Sequence, residues 1–182
     1  SSTSTITVAE PSALTATVSS TAALCNGSNS GNLLVVPAGG TPDYTYSWRN
    51  TADNTIAGTT AAVNDQFAGT YELVLTDGNG CTYTESIQIG EPEVLELTNL
   101  QTNQPTCDGA TDGNATVEVQ GGTGPFVITW DTGVSGANEN ALASGDHYVL
   151  VTDANLCTDS LAFQLDAPVA VMVDISAVAT SC

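Results

Sequence analysis

Five cysteines, twenty carboxylates, one histidine and two tryptophans are the side chains of this 182-residue sequence that could do chemistry. Cys25, Cys81, Cys107, Cys157 and Cys182 form no Cys-x-x-Cys pair and have no histidine-rich partner set. Their spacing therefore argues against a zinc site and for disulfides, which belong to an oxidising compartment. Asp108, Asp112 and Asn114 follow Cys107 closely, and Asp153 and Asn155 precede Cys157. Ca²⁺ collects roughly six to eight carboxylate, amide and carbonyl oxygens, so these five residues are candidate Ca²⁺ ligands if a disulfide brings their loops together. The alternative is that Asp, Asn and Gly serve only as turn formers; the spacing is not that of an EF-hand. His147 has no Ser, Cys or second His in a catalytic pattern and reads as an aromatic-sized structural or surface residue. Trp48 and Trp130 read as core residues, with sugar stacking as the alternative. Arg49, the single cation, reads as one half of a local ion pair. Nothing marks any carboxylate pair as buried for glycoside chemistry, so the expectation is that the chain is not an enzyme.

Composition limits the partners. One Lys+Arg against twenty Asp+Glu gives a net charge of −19, and phosphate backbones are bound by neutralising them with Lys and Arg. Nucleic acid and anionic membrane surfaces are thus excluded as expected partners, while a solvated exterior surface or divalent cations fit. Disorder loses as an explanation, because 41% of residues are hydrophobic and only 12% charged. No run of about 18 apolar residues occurs, so no membrane insertion is expected in this segment. Ser1-Ser2-Thr3-Ser4-Thr5 has neither the basic nor the apolar region of a signal peptide, and any export signal is expected outside this stretch.

The elements that must position these residues come from a repeat. Cys25-Asn26-Gly27 stands 82 residues before Cys107-Asp108-Gly109, and the same offset maps Gly39-Gly40-Thr41 onto Gly121-Gly122-Thr123 and Trp48 onto Trp130. Further on the offset is 76, which maps Gly69 onto Gly145, Tyr71 onto His147, Thr76-Asp77 onto Thr152-Asp153 and Cys81 onto Cys157. A six-residue deletion between Trp130 and Gly145 accounts for the change and marks a tolerant loop. Glu10-Pro11, Glu91-Pro92 and Ala167-Pro168 repeat as junctions, each followed after about 14 residues by Cys25, Cys107 or Cys182. The expected register is a last strand of a preceding module at 1–11, modules at 12–92 and 93–168, and a first strand of a following module at 169–182.

Within a module the pattern is β. Ala115, Val117 and Val119 alternate with polar residues, as do Tyr71, Leu73 and Leu75, and Gly-rich turns separate the runs. Short strands at regular spacing with a Trp on a central strand predict tandem Ig-like β-sandwich modules in an elongated array. Tyr71 joins Trp48 and Trp130 as expected core. If one strand fills the stretch between Trp48 and Gly69, four strand passes bring Cys25 and Cys81 to the same pole. With two strands the parity fails, and the pattern leaves the count open. The expectation adopted is Cys25–Cys81 and Cys107–Cys157, each closing a loop worth roughly 4 kcal/mol. A Cys81–Cys107 pairing is the rival, and Cys182 is expected to find its partner in a further module.

The ordered set of cysteine, acidic Gly-rich turn, Gly39-Gly40-Thr41-Pro42-Asp43-Tyr44, Trp48, Gly69-Thr70-Tyr71 and Thr76-Asp77-Gly78-Asn79-Gly80-Cys81 resembles the SprB-type repeat. It recurs as Gly121 through Phe126, Trp130 and Thr152 through Cys157. Asp43 and His147 depart from the pattern. The resemblance implies a segment of a very large secreted cell-surface adhesin or extracellular filament of Bacteroidota, including gliding adhesins exported by type IX secretion. It carries no catalytic residues. Neighbouring modules, surface glycans or other proteins are the implied partners, and a glycan- or protein-binding module appended to a secreted enzyme is the alternative. Asp159-Ser160-Leu161 also resembles a Bacteroidota O-glycosylation site, with Ser160 as acceptor.

Overall fold

A computed structural model describes residues 4 and 10–169, and all described elements are strands. The chain divides into two compact units, Ser1–Val94 and Leu95–Cys182. The expected flanking strands at 1–11 and 169–182 fall almost wholly outside the described residues, as does Cys182.

The first unit holds β1 (Thr15–Thr21), β2 (Gly31–Ala38), β3 (Thr45–Asn50), β4 (Ile56–Gly58), β5 (Ala62–Gln66), β6 (Gly69–Thr76) and β7 (Thr82–Ile89). They form two antiparallel sheets, β1-β2-β5 and β4-β3-β6-β7. Alternation does the sorting: on β6, Tyr71, Leu73 and Leu75 are buried, while Glu72, Val74 and Thr76 point to the half-exposed face. They pack with Leu33, Val35, Trp48, Val63 and Ile89 into one core. Trp48 is fully buried, and its indole N–H donates to the Thr60 carbonyl at 3.0 Å, so its polar edge is satisfied on the β4–β5 connection.

The second unit repeats this plan with β8 (Glu96–Asn103), β9 (Gly113–Gln120), β10 (Val127–Trp130), β11 (Asn138–Leu142), β12 (Gly145–Thr152) and β13 (Thr158–Leu165). Its sheets are β8-β9-β11 and β10-β12-β13. The core gathers Leu97, Ala115, Val117, Trp130, Leu142, Val149, Val151 and Leu165. Trp130 Nε1 donates to the Gly136 carbonyl at 2.8 Å, the position equivalent to Thr60. The deletion read from the sequence falls where the first unit has β4. A tight turn, with the Gly133 N–H on the Trp130 carbonyl, and one isolated bridge, Thr129 to Ser135, stand in its place.

Both units are Ig-like β-sandwiches. Two short strands, β4 and β5, lie between Trp48 and Gly69, which is the arrangement in which the cysteine parity fails.

Candidate functional site

The recurring motifs condense into one polar knot at one pole of each unit. Asp77, in the β6–β7 turn, is buried. Its Oδ1 accepts the N–H groups of Asn79 and Cys81 at 3.0 and 2.8 Å, and its Oδ2 accepts the Thr41 N–H at 2.9 Å from the β2–β3 turn. Asp153 does the same with Asn155, Cys157 and Thr123 at 2.8, 2.9 and 2.9 Å. Gly40 and Gly122 both have positive φ, and a Cβ on Gly40 would stand 2.8 Å from Asp77 Oδ2. Only glycine permits that approach. The Gly-Gly-Thr and Thr-Asp-x-x-x-Cys motifs, separate in sequence, are therefore the two halves of a single structure. The Thr41, Cys81 and Asn79 amides hold the Asp77 carboxyl below its ordinary range. Burial opposes ionisation at Asp153, and the amides of Thr123, Cys157 and Asn155 outweigh it.

At the opposite pole a cysteine opens each turn into β2 or β9. The Ser28 N–H returns to the Cys25 carbonyl, and the Ala110 N–H to that of Cys107, both at 3.1 Å. Ser30 Oγ accepts the Leu24 N–H at 2.7 Å. Asp112 takes the equivalent place, accepting the Thr106 N–H at 2.9 Å and the Thr106 hydroxyl; that hydroxyl and amide hold its carboxyl low. In the first unit the turn also grips the departing chain, with Gly27 N–H on Glu91 Oε2 at 2.6 Å and Asn26 Nδ2 on the Pro92 carbonyl at 3.0 Å.

This geometry corrects the expected cysteine pairing. Cys25 and Cys157 are disulfide-bonded, while Cys81 and Cys107 are free and exposed. Neither Cys25–Cys81 nor Cys107–Cys157 is formed, and neither is the rival Cys81–Cys107. Cys25 precedes the start of β2, whereas the Cys81 turn is tied through Asp77 to residues just past the end of β2. Eight extended residues at about 3.3 Å each place roughly 25 Å between the poles, far beyond the reach of a disulfide. β9 separates Cys107 from Cys157 in the same way.

The candidate Ca²⁺ ligands are divided by the same length. Asp108 and Asp112 stand before β9, and Asp153 and Asn155 stand beyond its far end. Asp112 and Asp153 are engaged by their own turns, and Asn114 Oδ1 accepts from Asn103 at 2.8 Å. No three His, Cys, Asp or Glu side chains among the described residues are grouped to hold a metal. The two loops do not form one cation site.

Three other candidates are placed by their contacts. Trp48 and Trp130, 0% and 1% exposed, offer no face to a sugar. Arg49 Nη1 donates to the Asn54 carbonyl at 2.8 Å and pairs with no carboxylate among the described residues, although Glu72 is its cross-strand neighbour. His147 is a structural cap. The Tyr71 hydroxyl donates to the Phe67 carbonyl at 3.0 Å, the hydrogen-bonded tyrosine that closes the corner of Ig sandwiches. His147 Nε2 donates to the equivalent Ala143 carbonyl at 2.9 Å, and Nδ1 lies 2.8 Å from Asp131 Oδ2. A carbonyl and a carboxylate both accept, so both bonds form only when the ring is an imidazolium. Burial disfavours that charge, but the Ala143 carbonyl and Asp131 carboxylate raise the pKa of His147 above its ordinary value.

Beside it, Glu139 is buried, with Oε2 accepting the Thr132 hydroxyl at 2.6 Å and Oε1 the N–H groups of Asn140 and Ala141. Asp131, Thr132 and Glu139 were not legible as a set, because they flank the shortened loop and the first module has Arg49 and Val63 in the places of Asp131 and Glu139. Ser160 is exposed in mid-β13, across from Leu150.

The SprB repeat family model matches twice, at residues 17–53 and 99–135. The second match begins 82 residues after the first, the offset of the motifs themselves. Each copy of the repeat thus carries one match to the SprB repeat model. No curated protein matches it. Among solved structures, it is similar to a C-terminal 282-residue fragment of intimin, crystallised with the intimin-binding domain of the translocated intimin receptor, at 14% identity and a TM-score of 0.46 over 86% of this chain. The chain covers 64% of that fragment. The Ig1+Ig2 pair of DIP-gamma is similar at 10% identity and a TM-score of 0.44, over 87% of this chain and 98% of that one. Domains 4–9 of the surface layer protein SbsC are similar at 16% identity and a TM-score of 0.34, over 90% and 32%.

Proposed function

We propose that this chain is a structural segment of a large secreted surface adhesin or extracellular filament, exported by type IX secretion in a Bacteroidota cell and serving adhesion or gliding. Modules at 12–92 and 93–168 are its working units, without catalysis. The observation that carries this reading is that the recurring polar groups are consumed internally. Asp77 and Asp153 each bind three backbone amides, both indoles cap a carbonyl, and the corner is capped twice by different residues. Such repeats build a frame and leave no shared constellation for a reaction. Antibodies raised against the chain should label intact host cells, and labelling should vanish when type IX secretion is disabled. Signal confined to the cell interior in both strains would refute the surface assignment.

One observation favours the alternative of a glycan- or protein-binding module. On the outer face of the β10-β12-β13 sheet, Val127, Tyr148 and Leu150 are 60%, 55% and 37% exposed. The equivalent first-module residues are Thr45, Glu72 and Val74. An exposed aromatic among aliphatics suits a protein or sugar contact. Loss of partner or glycan-array binding in Tyr148→Ser, with melting unchanged, would support this reading.

A further inference from the structure

We infer that Cys81 and Cys107 are half-cystines of junction disulfides to further repeats of the same kind, Cys81 to a cysteine at the Cys25 position of one repeat and Cys107 to a cysteine at the Cys81 position of another. The repeat reading underlies this inference; the adhesion reading does not.

The argument starts from an inequality between equivalent positions. Cys25 and Cys107 open the same turn, yet Cys25 is bonded and Cys107 is free and exposed. Cys157 and Cys81 follow the same aspartate knot, yet Cys157 is bonded and Cys81 is free and exposed. One module-equivalent of each free thiol thus already exists as a cystine. A bond within a module is barred by the strand length between its poles.

The first unit shows what would seat the partner. Its Cys25 turn holds the junction Glu91-Pro92 through Gly27 and Asn26. The repeat maps Glu91-Pro92 onto Glu10-Pro11. Glu10 and Pro11 line a groove of about 260 Å³ together with Ala13, Leu14, Asp77 and Cys81. A Cys25-type turn that grips Glu10-Pro11 as Cys25's own turn grips Glu91-Pro92 would bring its cysteine to the groove holding Cys81. The groove is partly apolar, and its carboxylate Glu10 is the acceptor that the Gly N–H of such a turn requires.

The chemistry balances with an external oxidant. Two S–H bonds break and one S–S bond forms. Two protons leave to solvent, and two electrons pass to a disulfide-form oxidant of the exporting compartment, which becomes a dithiol. The Cys81 and Cys107 thiols are accessible to it.

The test uses the natural protein taken from the outside of its host cells, blocked with N-ethylmaleimide before unfolding and digested without reduction. Cys81 and Cys107 should escape alkylation. The Cys81 peptide should be recovered joined to a cysteine that precedes an Asn/Asp-Gly turn, and the Cys107 peptide to one that follows a Thr-Asp turn. Alkylation of either thiol in more than half of the molecules, or a bond inside its own module, overturns the inference while leaving the repeat assignment intact. The 182-residue chain in a glutathione redox buffer supplies the second readout. Cys81–Cys107 links between copies should form and disappear in Cys81→Ser, whereas only symmetric Cys81–Cys81 or Cys107–Cys107 links would contradict the proposal.

Discussion

The two modules solve one problem, closing the corner before the long central strand, with different residues. In the first, Tyr71 spans the gap to Phe67 with a neutral hydroxyl, and burial raises its pKa further from physiological values. In the second, His147 spans it to Ala143 with a charged ring that needs Asp131 as counter-ion. The groups facing His147 come from every element around it: Asp131 after β10, Glu139 on β11, Asp146 on β12, and the Phe163 ring of β13 at 5.6 Å. Asp131, Glu139 and His147 stand where the first module has Arg49, Val63 and Tyr71, so the cluster is built by substitution at equivalent places. A corner that must be filled is therefore a fixed requirement of the fold, while the chemistry that fills it is free to vary, and here it gives one module a corner histidine whose pKa is raised.

The largest expected effect lies where the modules agree. Trp48→Ala or Trp130→Ala removes a fully buried ring and its carbonyl cap, costing about 3–5 kcal/mol. Calorimetry should show the mutated module unfolded or nearly so, to a similar extent in both cases. The aspartate knots come next. Asp77→Ala or Asp153→Ala strands three amides, and the melting midpoint should fall in either module; a drop in only one would break the claimed equivalence. Both aspartates have lowered pKa values. Their contribution is thus present above the unfolded pKa near 4 and is lost as pH falls through the folded values. His147→Phe removes two charge-assisted bonds and should cost about 1.5–3 kcal/mol at pH 6. Tyr71→Phe removes one neutral bond, about 1 kcal/mol, with no dependence on pH between 6 and 8. Tyr148→Ser on the open sheet face should stay within about 0.5 kcal/mol.

Much of this was legible from spacing. Two offsets, 82 and 76, aligned every motif, and alternation on β6 and β9 sorted inward from outward residues. What escaped has a physical cause. β4 is only three residues long and its counterpart in the second module is a single bridge, Thr129 to Ser135; both are too short for a period-two pattern to register, yet that extra pass sets the poles of the cysteines. Asp112 and Asp153 looked like cation ligands because a carboxylate that caps a turn and one that binds Ca²⁺ have the same residue types around them. The register of β2 and β9, not composition, separates the two loops. His147 was recognised as equivalent to Tyr71, but its charge state depends on Asp131, sixteen residues away across a deleted loop.

The contrast between a shared frame and a variable corner is tested most directly by calorimetry of the intact chain between pH 5.5 and 9. A folded pKa raised above the unfolded value gives stability that is complete below about pH 6.5 and disappears as pH rises through the folded value. The second module should therefore lose stability by about 1–2 kcal/mol across that range while the first holds steady, and His147→Tyr should erase the difference. If both modules moved together, or if the pH dependence survived His147→Tyr, the assignment of the corner to an imidazolium would be wrong.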